Sequence, residues 1–413
     1  MIIHIYAKVS DYNNPFLFSG LDGIMLMKTL NKIGLLLLIL TLTGCLTNKP
    51  VPTSMVVFGD SLSDQGNLAA IVSRPLDVNI HMTSPPSSHN GHAFTNGLLA
   101  IEYLAEHYGI ELSPAWYKES ETATQTGKHK NKASYANIFA INAVGIESRE
   151  EDKNSLKYKE LNFLTKILSD NIRTATLTGN NYAIANTTIA SNYWGLLQHL
   201  FNPLSLPHQI EHYKKNRKNK NIDATLFVIM IGGNDIMAVA TGDPFENKET
   251  RIDNLMPIMM ESIKQLQALG AKKILVVGVP DVGQTPKFHG KHLAKTMTQL
   301  SKYFNQKLSK RIGEKFSKEQ VKWLSIDVPF PDSQKPPLLK REACVSDIAN
   351  FHINPITFLE TGELKTKFIN NCTQEALNKG DYFYYDSVHG TNIVYKALGK
   401  LLIQATADLF NEQ

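Results

Sequence analysis

The sequence predicts an α/β protein built as a doubly wound, mainly parallel sheet with helices on both faces. Three observations predict it. First, the runs at 55–58, 224–231 and 273–279 are apolar almost without interruption. Continuous rather than alternating apolarity is the pattern of a strand buried on both faces. Second, stretches of helical periodicity follow the later runs, at 252–269 and 293–316. Third, strand and helix alternate from Met55 to the C-terminus, the order that produces a parallel sheet.

The elements are justified in turn. Met55-Val56-Val57-Phe58 is the first strand. Residues 98–104 have helical spacing, with apolar residues around two polar ones. Residues 118–132 are polar and rich in Thr and Lys, which marks an exposed insertion; no clear pattern emerges from there to Asn180. The run 224–231 is the next strand. A helix over 252–269 follows, with Gly270 as its C-cap. Residues 273–279 form a strand stopped by Pro280, 293–316 a long amphipathic helix, and 321–327 a further strand. Residues 329–381 read as irregular and contain two cysteines, and a helix over 392–410 closes the chain. No internal repeat is present.

With 413 residues and 43% hydrophobic composition, the chain can bury one large core with insertions, or two domains. At 20% charged residues, global disorder is excluded as a description. A net charge of +5 is mild for this length and argues against a nucleic-acid binder. The basic cluster at 214–220 reads as a solvated loop, or more sharply as a contact for anionic lipid headgroups.

The N-terminus reads as an export signal. Lys28 and Lys32 form a positive region, and 33–42 is an apolar core too short for an ordinary transmembrane helix. Leu42-Thr43-Gly44-Cys45 is similar to a bacterial lipoprotein box, which makes Cys45 the lipidated residue; ordinary signal cleavage nearby is the alternative. Residues 1–24 lack signal character and read as a start-site artefact, and 46–54 as a linker. With Cys45 set aside, Cys344 and Cys372 are left. Export favours a disulfide between them; two free buried thiols are the other reading. No CxxC or HExxH spacing suggests zinc.

Three strand ends carry the chemistry. Gly-Asp-Ser-Leu at 59–62 puts Ser61 at the carboxyl edge of the first strand, where function collects in open α/β sheets. A serine hydroxyl needs a general base to become a nucleophile. Asp386-Ser387-Val388-His389 offers one: His389 as base, with Asp386 orienting it and stabilising the imidazolium. Gly232-Gly233-Asn234-Asp235 follows the 224–231 strand, and the Asn234 amide is a candidate oxyanion donor beside the Ser61 backbone N–H. The alternative for Asn234 is a turn residue bonded to its own backbone. Asp60 and Asp64 are expected to fix the turn after the first strand. His81, His89 and His92 lie close in sequence, but their spacing in a loop-like stretch does not suggest a metal site.

These residues resemble the GDSL, or SGNH, hydrolase family. The resemblance implies a flavodoxin-like three-layer α/β/α sandwich over 55–413, with an insertion at about 115–180 and a cysteine-bounded loop at 344–372. It implies catalysis by Ser61, Asp386 and His389, with no cofactor. The general α/β-hydrolase elbow, Gly-x-Ser-x-Gly, is not met, because Ser63 stands in place of its second glycine. A further family block, with glycines whose N–H completes the oxyanion hole, has its nearest match at Asn181-Tyr182-Ala183-Ile184-Ala185-Asn186-Thr187. Ala185 and Asn186 replace the glycines, and of the two Asn186 better tolerates a left-handed backbone.

The sequence is similar above all to the bacterial glycerophospholipid:cholesterol acyltransferase and lysophospholipase A branch. Ser84-Pro85-Pro86 with 91–97 (GHAFTNG), 280–286 (PDVGQTP) and 384–391 (YYDSVHGT) carry that likeness. Cys344 and Cys372 fall where the branch has a disulfide-closed loop. The resemblance implies phospholipid and lysophospholipid substrates, cholesterol as a second acyl acceptor, and work at a membrane surface by an exported protein, either lipid-anchored to the cell envelope (the outer membrane) or secreted. It also implies either activation by a protease within 346–371, where Lys365 and Lys367 are candidate cleavage sites, or a static stapled lid.

Overall fold

In a computed structural model of the chain, the residues described are 50–76, 79–81, 92–116, 133–135, 172, 175, 177–191, 202–217, 222–242, 244–326, 339–347 and 368–411. All lie in one unit, Pro50–Gln413. The export signal with Cys45, most of the 115–180 insertion, His89, Lys365 and Lys367 lie outside the described residues.

The central sheet has four strands in the spatial order β1 (Ser54–Gly59), β2 (Thr225–Met230), β3 (Lys273–Val277) and β4 (Val321–Leu324), every neighbour parallel. A fifth, irregular stretch flanks β1 on its other edge. The Val57 N–H reaches the Asn180 carbonyl at 3.1 Å, the Tyr182 N–H reaches Val57 at 2.7 Å, and the Ile184 N–H reaches Gly59 at 3.1 Å. That stretch lies between β1 and β2 in the chain. The sequence therefore runs outward from β1 in both directions, which is the 2-1-3-4-5 order of a flavodoxin-like sheet with its switch point at β1.

Alternation along the strands sorts side chains onto two faces. Val56, Phe58, Phe227, Ile229, Ile274 and Val276 share one core with α1 (Asn67–Leu76), α3 (Leu206–Asn216), α4 (Gly233–Thr241), α6 (Leu255–Ala268) and α7 (Ala294–Lys315). Met55, Val57, Leu226, Val228, Leu275 and Val277 share the other with α2 (Ala100–Tyr108) and α9 (Asn392–Asn411). The outcome is the α/β/α sandwich that the alternation predicted.

The differences are local. The helix expected over 252–269 is two, α5 (Lys248–Asp253) and α6, meeting at Asn254. Pro257 has no N–H for the Asp253 carbonyl, so one continuous helix loses a bond there and the chain restarts instead. Gly270 does end α6, at φ 101°. The third strand stops at Val277 rather than Val279, because the Asn305 side chain takes over as partner: it binds the Val279 N–H and C=O, both at 2.9 Å.

The stretch read as irregular, 329–381, holds short elements: β5 (Lys340–Ala343), β6 (Val345–Asp347), β7 (Phe368–Asn370) and α8 (Gln374–Lys379). β5 pairs in parallel with β8 (Tyr382–Tyr384), and β6 pairs antiparallel with β7. Strands of three or four residues leave too little pattern to read. Cys344 and Cys372 are disulfide-bonded, and Cys344 packs in a small buried cluster with Val345, Leu377, Tyr382 and Tyr385.

Gly59, the last residue of β1, is fixed by space. A Cβ there would stand 2.5 Å from the Met230 carbonyl oxygen of β2. Gly59→Ala is expected to lower stability by about 1–3 kcal/mol, read as a shifted urea midpoint with unchanged slope.

Candidate active site

The loops that follow β1 and β2 meet the 386–389 loop, which follows β8 outside the central sheet. After Gly59 the chain turns at once: the Ser63 N–H binds the Asp60 carbonyl at 3.0 Å, and the Asp60 carboxylate accepts the Leu62 N–H at 3.1 Å. This turn leaves Ser61 buried beneath the incoming loop from 386–389. Its Oγ lies 2.7 Å from His389 Nε2, across 328 positions of sequence. His389 Nδ1 lies 2.7 Å from Asp386 Oδ2. The other Asp386 oxygen accepts the backbone N–H groups of Val388 at 2.8 Å and His389 at 2.7 Å. An ionised carboxylate only accepts, so Nδ1 carries the proton and Nε2 is left to accept from Ser61. That is the tautomer a general base for serine needs.

The loop is braced from two sides. The Phe94 ring lies against His389 with centroids 4.9 Å apart. Two residues on, Asn96 accepts the Asn392 N–H at the start of α9, at 3.0 Å. Beyond Asp386, the Cys344 N–H binds the Tyr384 carbonyl at 3.1 Å and the Val345 N–H binds Tyr385 at 2.7 Å. The disulfide-bonded element therefore grips the backbone beside the acid.

Asn234 sits in the first turn of α4, behind Gly232 at φ 134°. A side chain at Gly232 would press on Phe304 and Val279, at 2.9 and 3.0 Å. The Asn234 amide donates to the Thr187 carbonyl at 2.9 Å rather than to its own turn. An amide carries two N–H groups, and Thr187 takes one of them.

Asn186 is the one non-glycine residue with positive φ among the described residues, at 71°. It is the third residue of a turn closed by the Thr187 N–H on the Ile184 carbonyl at 3.4 Å. A type II turn needs positive φ there, which asparagine tolerates. Ala185 is a correction to the expected oxyanion set. Its single N–H donates to Asp64 Oδ2 at 2.7 Å and is not available to a substrate oxygen.

Asp64 does more than fix its own turn. It also accepts the N–H groups of Gly66 at 2.8 Å, Asn67 at 2.6 Å and Leu68 at 3.2 Å, filling the open first turn of α1. Asp235 accepts the Ile189 N–H at 2.9 Å. Burial pushes Asp60 and Asp64 up to about 6 and Asp235 up to about 7, against the lowering effect of these N–H groups. The roles of Phe94, Thr187 and the reach of Asp64 to Ala185 had no signature in the sequence, since each is a contact between distant segments. Among the described residues, no group of three or more His, Cys, Asp or Glu is placed to hold a metal ion.

The model of GDSL-like lipases and acylhydrolases matches residues 55–319 of the chain. The protein belongs to this family. The matched stretch includes Ser61 and Asn234 and stops before Asp386 and His389. The chain is similar to GDSL esterase/lipase At5g45950 of Arabidopsis thaliana, 23% identical over 374 residues, spanning 87% of this chain and 89% of that protein. It is also similar to GDSL esterase/lipase At2g40250 of the same plant, 23% identical over 401 residues and 90% and 94% of the two chains. GDSL esterase/lipase At2g04570 is 29% identical over 254 residues, 55% of this chain and 69% of that protein. The protein is thus a GDSL-type hydrolase.

Two outcomes are expected. Asp386→Asn should lower kcat by about 10⁴-fold through the wrong histidine tautomer, and Asn234→Ala by about 10²–10³-fold through loss of an oxyanion donor, both measured on a chromogenic ester. Because Asp60, Asp64 and Asp235 are raised above 3.8, the folded state holds protons that the unfolded chain has released. Stability should therefore fall as pH rises from 3.8 to about 7, and Asp235→Asn should flatten that slope in urea titrations.

Proposed function

We propose that the protein is a serine ester hydrolase that removes acyl chains from lysophospholipids and phospholipids through an acyl-enzyme on Ser61. His389 takes the Ser61 proton as Oγ attacks the ester carbonyl, then returns it to the leaving alcohol. The Ser61 N–H, the Asn234 amide and the Asn186 backbone N–H serve as donors to the oxyanion. Water, activated by the same histidine, then releases the fatty acid.

The observation that carries the lipid reading is a cavity lined by the sequence neighbours of Ser61 and His389, though not by those two residues themselves. It has a volume of about 330 Å³, and Leu62, Val388 and Gly390, the immediate neighbours of Ser61 and His389, form part of its wall. Ile326, Phe383, Val394 and Leu398 make much of the rest, with Arg341 and Asp281 also in the lining. Ligand pockets span about 300–1,000 Å³. This one is at the low end, suited to one acyl chain rather than a whole diacyl lipid. Cholesterol is the secondary acceptor in this reading, and water the first.

The bacterial acyltransferase and lysophospholipase branch supplies the rest of the proposal: an exported protein, anchored through Cys45 to the envelope, working at a membrane surface. Among the described residues, no helix is long and apolar enough to cross a membrane. Of the basic cluster, the described residues Lys214, Lys215 and Arg217 face away from a substrate-facing membrane contact. Lys214 and Lys215 pair with Glu211 at 3.9 and 3.6 Å, and Arg217 binds the Leu269 carbonyl at 2.6 Å. That end of α3 meets the starts of β2 and β3, the sheet edge opposite Ser61.

Protein lacking residues 1–45 and its Ser61→Ala partner should be incubated with lysophosphatidylcholine, with and without cholesterol. Ser61-dependent fatty acid is expected, with cholesteryl ester the minor product. No Ser61-dependent product from a folded sample overturns the lipid reading and leaves a short-chain or carbohydrate esterase. Filling the cavity with Leu398→Trp should lower kcat/KM for p-nitrophenyl dodecanoate at least about ten-fold more than for the acetate.

A further inference from the structure

We infer that Gln209 is a positioning residue that holds the nucleophile strand and the oxyanion turn in register. The inference rests on the serine-hydrolase reading of the site, and not on its lipid substrate. Gln209 lies in the first turn of α3, and its side chain is wholly buried. A buried amide is costly unless its groups are matched. Here every one is. Oε1 accepts the Gly59 N–H at 2.9 Å. Nε2 shares its two N–H groups among the Gly59 carbonyl at 2.9 Å, the Leu204 carbonyl at 3.0 Å and Thr187 Oγ1 at 3.2 Å.

The position of these bonds matters more than their number. Residues 180–184 run as a parallel partner along β1, and that pairing would send the Gly59 N–H to the Tyr182 carbonyl. The ladder breaks there, and the Gln209 amide replaces the missing peptide group. Gly59 stands two residues before Ser61. Its carbonyl also accepts the Ile184 N–H at 3.1 Å. The Thr187 hydroxyl lies 3.1 Å from the same carbonyl, gives its one proton to the nearer Ile184 carbonyl at 2.7 Å, and accepts from Gln209. Thr187 in turn presents its carbonyl to the Asn234 amide at 2.9 Å. One side chain therefore ties the end of β1 to the turn that carries Asn186, and through Thr187 to Asn234.

Gln209 lines no part of the cavity beside Ser61. Its loss should displace the oxyanion donors from the serine without touching the ground-state site. An interaction felt only in the transition state lowers kcat and kcat/KM equally and leaves KM in place. A misplacement of about 1 Å can cost about 10²-fold in rate.

The test uses Gln209→Leu, Thr187→Val and the double variant, with p-nitrophenyl acetate as substrate. Each sample is titrated to completion with an organophosphonate, so that rates refer to competent Ser61. The expected result is a kcat for Gln209→Leu lower by about 10²-fold with KM unchanged. The double variant should lose less than the product of the two single losses, because the residues share one network. A kcat per active site equal to wild type in folded Gln209→Leu overturns the inference, as does a rise in KM that accounts for the whole loss. If Gln209→Leu does not fold, Thr187→Val decides: a lower kcat at unchanged KM supports the inference, and an unchanged kcat overturns it. A wild-type protein inert to both reagents overturns the hydrolase reading on which it rests.

Discussion

β1 is paired along both edges, by β2 on one side and by residues 180–184 on the other, and its carboxyl end at Gly59 is the fixed point of the site. The β2 edge comes so close that the Met230 carbonyl leaves no space for a side chain at Gly59. On the other edge, two donors converge on the Gly59 carbonyl, the Ile184 N–H and the Gln209 amide, and the Thr187 hydroxyl lies beside it at 3.1 Å. Ser61, Asn186 and Asn234 each follow one of these three neighbouring segments. Their mutual distances are therefore set by strand spacing rather than by flexible loops. Only His389 and Asp386 arrive from elsewhere, and α9, Phe94 and the disulfide-bonded element hold them in place.

The same site is unusual in how it uses charge. Asp60, Asp64 and Asp235 are buried without a cationic partner among their hydrogen bonds, and backbone N–H groups stand in for one. Such acids are costly to keep ionised, which is why burial raises all three. Their work is geometric. Asp64 joins the loop after Ser61 to the 184–187 turn through Ala185, and Asp235 joins α4 to the segment after Thr187 through Ile189. Buried polar links of this kind specify one arrangement where apolar packing would tolerate several.

Much of this was legible in the chain. Continuous apolar runs marked β1, β2 and β3, since burial on both faces leaves no alternation to confuse with helix. Ser61, Asn234 and the Asp386–His389 pair stood out because each sits at a strand end or in a short motif. The edge segment 180–184 was not legible as a strand partner, because Asn180 and Asn181 hold it by side-chain bonds to distant backbone, such as Asn180 to Met55 at 3.0 Å. Gln209 was invisible for a related reason: a polar residue on a helix reads as surface until its partners are known. Ala185 was misassigned because backbone sequence does not say where an N–H points. The break at Asn254 could have been anticipated from Pro257.

The central claim is that Ser61 carries a covalent acyl group. The most direct measurement is intact-protein and peptide mass spectrometry after rapid acid quench of a lysophosphatidylcholine reaction. The account predicts a mass increase of one acyl chain on the peptide containing Ser61, absent in Ser61→Ala and accumulating in neither when the ester is omitted. Turnover of the ester with no such adduct at any quench time, or an adduct on another residue, would contradict it.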